Sequence, residues 1–188
     1  MLKHNPDKIA GLNRWRKRVG VEAAQQITTK AGVRGTAIHG LAERYLKNQF
    51  FDENAVKQAC GPENLPLFEQ MLPVLNLIDA IKYQEVSLYS KLLGLAGTTD
   101  AICEVSGIPS IVDFKSSLRR KPRSYIDDYF QQGCSYSIMF EELTGVKIQN
   151  IVIIIACDTG ECDIFQEPRK ESFRGLKESI ERFRKLLK

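Results

Sequence analysis

Gly97-Thr98-Thr99-Asp100 and Ile111-Val112-Asp113-Phe114-Lys115 place two carboxylates and a lysine inside segments that otherwise read as buried β-structure. Ser106-Gly107 and Pro109 divide Leu95–Val105 from Ile108–Lys115, as in two antiparallel strands joined by a tight turn. Side chains alternate along a strand, so Asp113 and Lys115 share one face while Val112 and Phe114 point the other way into a core. A register slip of one residue would bury the charged pair instead. Carboxylate oxygens on neighbouring strands suit hard divalent cations such as magnesium or manganese. A lysine close by can align an attacking water or offset charge building on a phosphate. That chemistry is phosphodiester hydrolysis. Taken alone, the short Asp-x-Lys string reads as an exposed ion pair on a solvated face, contributing about 0–1 kcal/mol, and its surroundings have to change that.

The elements that must position these residues follow from periodicity and breakers. Helical patterns cover Pro6 to Arg18, Val21 to Asn48, Asp52 to Ala59 and Leu65 to Lys82, with Asp52 as an N-cap and Pro62 and Pro66 bracketing a helix start. Three consecutive strands are expected over Tyr83–Leu93, Leu95–Val105 and Ile108–Lys115. A helix over Arg123–Leu143, ended by Thr144-Gly145, precedes a strand over Ile148–Cys157. A short returning strand (Cys162–Gln166) and a basic amphipathic helix (Glu171–Lys188) complete the order. The expected class is α/β (α+β), a mixed sheet flanked by helices with a helical N-terminal region. At 188 residues one domain is expected, its mainly helical part spanning 1–82 and its sheet and helix 83–166.

Tyr125, Tyr129, Gln132 and Tyr136 are spaced four, three and four apart, which lines them along one helical stripe. Rings in such a stripe can bury in the core with wet hydroxyls, but an amide facing a sheet needs a partner, which singles out Gln132 with Tyr136. Upstream stands Arg34-Gly35-Thr36-Ala37-Ile38-His39, continuing as Gly40-Leu41-Ala42-Glu43-Arg44-Tyr45-Leu46. The order RGTxxHxxxExYL, GTxD, VDFKSS and QxxxY resembles the RecB-like branch of the PD-(D/E)xK nuclease superfamily. Trp15-Arg16-Lys17-Arg18-Val19-Gly20 ahead of it is similar to the small stand-alone DNA exonucleases, a group that includes the mitochondrial genome maintenance exonuclease and phage relatives. The resemblance runs from about Leu12 to Gly145. It implies a restriction-endonuclease-like αβββαβ core.

On this resemblance Asp100 and Asp113 match the metal-binding acidic residues and Lys115 the catalytic lysine. The backbone carbonyl of Phe114 matches a position that commonly completes the metal shell, and His39 matches a histidine that can ligate metal. Gln132 and Tyr136 match a helix pair that helps orient the lysine and the nucleic acid. Thr99 stands where the superfamily's name has proline, a departure usual in the branch. Glu85, at the start of the first expected strand, could join the metal shell. Arg34 could clamp a phosphate. Trp15, Arg16 and Arg18, and Ser116, Ser117, Arg119, Arg120, Lys121 and Arg123 after the lysine strand, are candidate nucleic-acid contacts. Charge runs are also solvated faces, and Trp15 could equally anchor its helix on the core.

A net charge of +4 is compatible with nucleic acid and decides little. The longest apolar run, Ile148–Cys157, is too short to span a bilayer, and Met1–Asp7 has neither a signal core nor transit-peptide character, so an intracellular protein with no membrane partner is expected. Cys60, Cys103, Cys134, Cys157 and Cys162 are an odd set with no C-x-x-C, which argues against a disulfide framework, and no iron–sulfur cluster is expected. The expectation is a magnesium- or manganese-dependent exonuclease acting on DNA ends or single strands. Alternatives are a catalytically inactive or partner-dependent DNA-binding module, or a structure-specific endonuclease subunit. Sequence leaves any protein partner or homo-oligomer open.

Overall fold

The computed structural model describes residues 6–50 and 52–186. Met1–Asn5 and the final residues of the expected last helix, Leu187 and Lys188, lie outside them. The elements are α1 (Pro6–Val19), α2 (Val21–Leu46), α3 (Glu53–Leu75), β1 (Ile78–Ser90), β2 (Leu95–Val105) and β3 (Ile108–Ser117). A single 3-10 turn (Arg123–Tyr125) then leads into α4 (Asp127–Thr144), β4 (Asn150–Cys157), β5 (Glu161–Pro168) and α5 (Arg169–Leu186). The sheet order is β1-β2-β3-β4-β5. Strands β3 and β4 are parallel and every other neighbouring pair is antiparallel, so α4 is the crossover that parallel pairing requires.

The sheet is covered on both faces. Val112, Phe114, Ala101, Cys103, Val152 and Ile154 pack against Ile38, Leu41, Phe68 and Met71 of α2 and α3. Ile151, Ile153 and Ile155 meet Phe130, Cys134, Leu176 and Ile180 of α4 and α5, while Ile102 and Ile111 meet Tyr136, Met139 and Phe140. All eight residues of β4 are buried, as a parallel strand between two helical layers demands. The result is the expected α+β mixed sheet behind a helical N-terminal region.

Local chemistry sets the boundaries. Asp52 caps α3 by accepting from the Ala55 amide at 2.7 Å, and α3 kinks at Gly61, whose φ of 64° breaks the helix just before Pro62. Gly145, at φ 74°, ends α4 as expected. Several boundaries differ from the sequence reading, among them α4, which begins at Asp127 rather than Arg123, and β4, which begins at Asn150 rather than Ile148. The helix expected to reach Lys82 stops at Leu75, and β1 begins at Ile78 rather than Tyr83 and ends at Ser90 rather than Leu93. Ile78 and Ile81 imitate helical spacing, but the segment pairs with β2, Ile78 opposite Val105 and Asp79 opposite Glu104. Tertiary pairing overrides local pattern there. Ser90 closes the strand because its hydroxyl takes the Leu93 amide at 2.9 Å and its carbonyl the Gly94 amide at 3.0 Å. Tyr125 is a further correction: it lies in the 3-10 turn, 70 % exposed, off the α4 stripe.

Among the described residues no helix is long and apolar enough to cross a membrane. Helix α4 approaches β4 so closely that a Cβ built on Gly133 would lie 2.4 Å from Ile151 Cγ2. Gly133→Ala therefore forces overpacking, with an expected loss of about 1–3 kcal/mol in denaturant unfolding. Combining it with Ile151→Ala should cost less than the sum of the two single changes.

Candidate active site

The ladder between β2 and β3 runs from Val105–Ile108 to Ala101–Val112 and goes no further. At its end the Asp100 side chain takes over from the backbone: Oδ2 accepts the Phe114 amide at 2.6 Å. On the other side, Gln84 pairs with Ala101 and Val86 with Thr99, leaving Glu85 opposite Asp100 in a left-handed conformation, φ 48°. Such a residue breaks the alternation of side chains. Tyr83, Val86 and Leu88 consequently all reach the cluster around Phe140, although 83 and 86 would face opposite ways in a regular strand. A left-handed conformation at a non-glycine costs of order 1–3 kcal/mol, a strain that clusters at functional sites.

This interruption gathers the polar groups. Ligand atoms of His39, Glu85 and Asp100 all lie within 4.8 Å of one another. His39 Nδ1 is 3.3 Å from Asp100 Oδ1, so Asp100 spends one oxygen on the strand amide and turns the other to α2. The set opens into a cleft of about 480 Å³ lined by Gly35, Thr36, His39, Gly40, Glu43 and Glu85. Carboxylate oxygens with one imidazole are the donors a hard divalent cation takes. On the α4 face of β3, Asp113 is 1 % exposed and its Oδ2 meets the Lys115 ammonium. The Phe114 side chain packs into the α2–α3 core edge-on to His39, and its amide is the group tied to Asp100.

The electrostatics are those of crowded, poorly hydrated charge. Burial pushes the Asp113 carboxyl up to about 6, with Lys115 pulling against it and Asp100 adding to it. Burial also raises Glu85, reinforced by the charge of Asp100. For His39, burial works downward, and the hydrogen bond and charge of Asp100 more than offset it, so the net direction is up. Lys115 is likewise raised: burial opposes its charge and Asp113 restores it.

Gln132 donates to the Tyr136 hydroxyl at 2.8 Å across one turn of α4. A Cβ on Gly97 would sit 2.8 Å from Tyr136 Cε1, which explains a glycine ahead of Asp100: the ring occupies that space. Gly35 lies against Ser116, since a Cβ there would be 3.8 Å from its hydroxyl. Arg34 is held by Asp158 in the β4–β5 turn. Ser117 bonds the Arg119 carbonyl at 2.7 Å, and Arg119 is exposed. Arg120 pairs with Asp163 and Glu161, and Arg123 with Glu167 and Asp127, so these two guanidiniums are engaged by carboxylates. Trp15 is half-buried and Arg16 and Arg18 exposed on α1, which packs on α2. Tyr129, legible in the sequence only as one ring of the tyrosine stripe, stands beside Lys115. Cys60, Cys103, Cys134 and Cys157 are buried, which pushes the Cys103 thiol to about 12.

No family model matches this sequence, and no curated protein matches it. Among solved structures the chain is similar to the crystal structure of a "putative exonuclease" from Eubacterium rectale, with a TM-score of 0.50 and 17 % identity over 79 % of this chain and 64 % of that one. The likeness is one of fold. This chain spans less than two thirds of that protein. A second structure, of the protein SSO0001, aligns at a TM-score of 0.34 with 14 % identity over 78 % of this chain and 74 % of that one, too distant to bear on the fold. The mixed sheet flanked by helices is thus an architecture this chain has in common with the first of these structures.

Metal ligands must be deprotonated. Raised proton affinities at His39, Glu85 and Asp113 put protons in competition at higher pH than for ordinary carboxylates. Calorimetric titration with manganese should show affinity falling as pH drops, because His39 and Glu85 both hold their protons more firmly than usual. Manganese at about a hundred times its Kd should stabilise the fold by about 2.7 kcal/mol, and Asp100→Asn should remove most of that gain.

Proposed function

We propose that the chain is a metal-dependent deoxyribonuclease of the PD-(D/E)xK type, in its RecB-like branch, and an exonuclease acting on DNA ends or single strands. The observation that carries this reading is the meeting of Asp100, Glu85 and His39 at the point where β2 and β3 part, one strand away from the buried Asp113–Lys115 pair. Three groups on three different elements converge there, a geometry that a solvated ion pair on a sheet face does not require. The nuclease-like fold agrees with it. In this reading the 188 residues form one catalytic domain.

His39, Glu85 and Asp100 would hold magnesium or manganese, with Asp113 completing the acidic set. The cation supplies Lewis-acid polarisation of the scissile phosphate. The protein's own groups do the rest. Asp113 holds Lys115 protonated, and the ammonium aligns the attacking water and offsets charge developing on phosphate oxygens. Gln132 and Tyr136 wall the site on the α4 side and fix the strand of Gly97 against it. Ser116, beside Gly35 of the cleft wall, together with Arg34 and Ser117 would contact backbone phosphate, and the exposed arginines of α1 would guide the strand inward. DNA is the proposed substrate.

End-labelled single- and double-stranded DNA, incubated with magnesium, manganese or chelator, tests the reading. Wild type should release label only with metal. Lys115→Ala and Asp113→Asn should each lower the rate by roughly 10²–10⁴-fold with circular dichroism unchanged. Wild-type rates in purified Lys115→Ala would overturn the assignment. Glu85→Gln should raise the metal concentration needed for half-maximal cleavage, and an unchanged metal requirement would remove Glu85 from the ligand set. A circular substrate left intact separates exonuclease from endonuclease.

A further inference from the structure

The segment that follows β3 is basic, yet its charges are not laid out as an open patch. Arg120 is drawn to β5 by Asp163, at 2.5 and 3.2 Å, and by Glu161 at 3.2 Å. Arg123 is fixed by Glu167 at 2.6 Å and Asp127 at 2.5 Å, with its guanidinium 4.1 Å from the Phe130 ring centroid. Lys121 lies between these two anchors and turns inward, donating to the Tyr129 hydroxyl at 2.5 Å. It is 4.9 Å from the centroid of that ring. Together the two distances place it off the hydroxyl end of the phenol rather than over its face. Lys115 Nζ is 5.4 Å from the same centroid, within the range of a cation–π contact.

An ammonium on a flexible stem needs more than one restraint to keep a single position. Asp113 supplies one, but that carboxylate belongs to the proposed acidic set and its contact consumes a donor of the ammonium. An aromatic face attracts a cation without demanding a directed hydrogen bond, so the donors remain free for a phosphate oxygen or a water. The ring itself is immobilised, packed against the core of α4, β4 and α5 and tethered through its hydroxyl.

We propose that Tyr129 is a positioning residue for Lys115: its ring, packed against the core, holds the ammonium in the site. The inference rests on the reading of Lys115 as the group that meets the phosphate.

The test compares Tyr129→Ala and Tyr129→Phe in two measurements. In metal-free protein labelled with [13C]lysine, the ε-methylene signal of Lys115, assigned by its absence in Lys115→Arg, should be displaced by the ring current from the other lysines. Tyr129→Ala should return it to their position, and Tyr129→Phe should keep it displaced. In cleavage assays Tyr129→Ala should lose about tenfold or more in kcat, with KM within about twofold, while Tyr129→Phe stays within about threefold of wild type. A Lys115 signal unmoved by Tyr129→Ala, wild-type kcat in that variant, or equal losses in the two variants would overturn the proposal. A wild type that cuts no DNA would overturn the nuclease reading alone, since the spectroscopic comparison needs no cleavage.

Discussion

A single hydrogen bond organises this molecule's polar interior: the amide of Phe114 given to the carboxylate of Asp100. A strand amide in the middle of a sheet must have an acceptor, because a buried orphan costs about as much as a lost hydrogen bond or more. Here the backbone partner is withdrawn and a side chain replaces it. The ladder can then end without loss, the two strands separate, and a charged group is held at the gap in one orientation. The left-handed Glu85 on the neighbouring strand is the matching irregularity, and the two interruptions face each other across β1 and β2.

Everything around that gap is arranged to hold it in register. The glycines at 97 and 133 let α4 press its tyrosine onto β2 and its backbone onto β4, so the helix that carries Gln132 and Tyr136 cannot slide without clashing. On the opposite face α2 brings His39 in from the same turn that buries Ile38, which ties the position of an imidazole to the packing of a core residue. A cluster of polar side chains on packed helices and strands is held more tightly than one on loops.

Most of the architecture was legible in the sequence because it is written in period and punctuation. The hairpin of β2 and β3, the cap at Asp52, the stop at Gly145 and the all-apolar β4 follow from local rules. The start of β1 does not, because Ile78 and Ile81 satisfy a helix as well as a strand and only the partner strand decides. Of the site, Asp100, Asp113 and Lys115 were legible as charges where apolar residues belong. Their separation into a His39–Glu85–Asp100 group and an Asp113–Lys115 pair was not, since it depends on a change of face along β1 and β2 that alternation alone denies. The commitment of Arg120 and Arg123 was hidden for another reason: apart from Asp127, their partners lie some forty residues downstream, and a run of basic residues looks the same whether it is solvated or paired.

The clamp between the segment after β3 and β5 also bears on where the sheet ends. Strand β5 has a neighbour on one side only, and an open row of amides and carbonyls invites a sixth strand from another molecule. Glu161, Asp163 and Glu167 set carboxylates along that strand, and the arginines they bind carry a stretch of chain up to its flank. Anchored charge of this kind discourages the stacking of one sheet onto the next. The arginines on either side of Lys121 thus also set paired charge along one of the two edges of the sheet, one position out from a strand as apolar as β4.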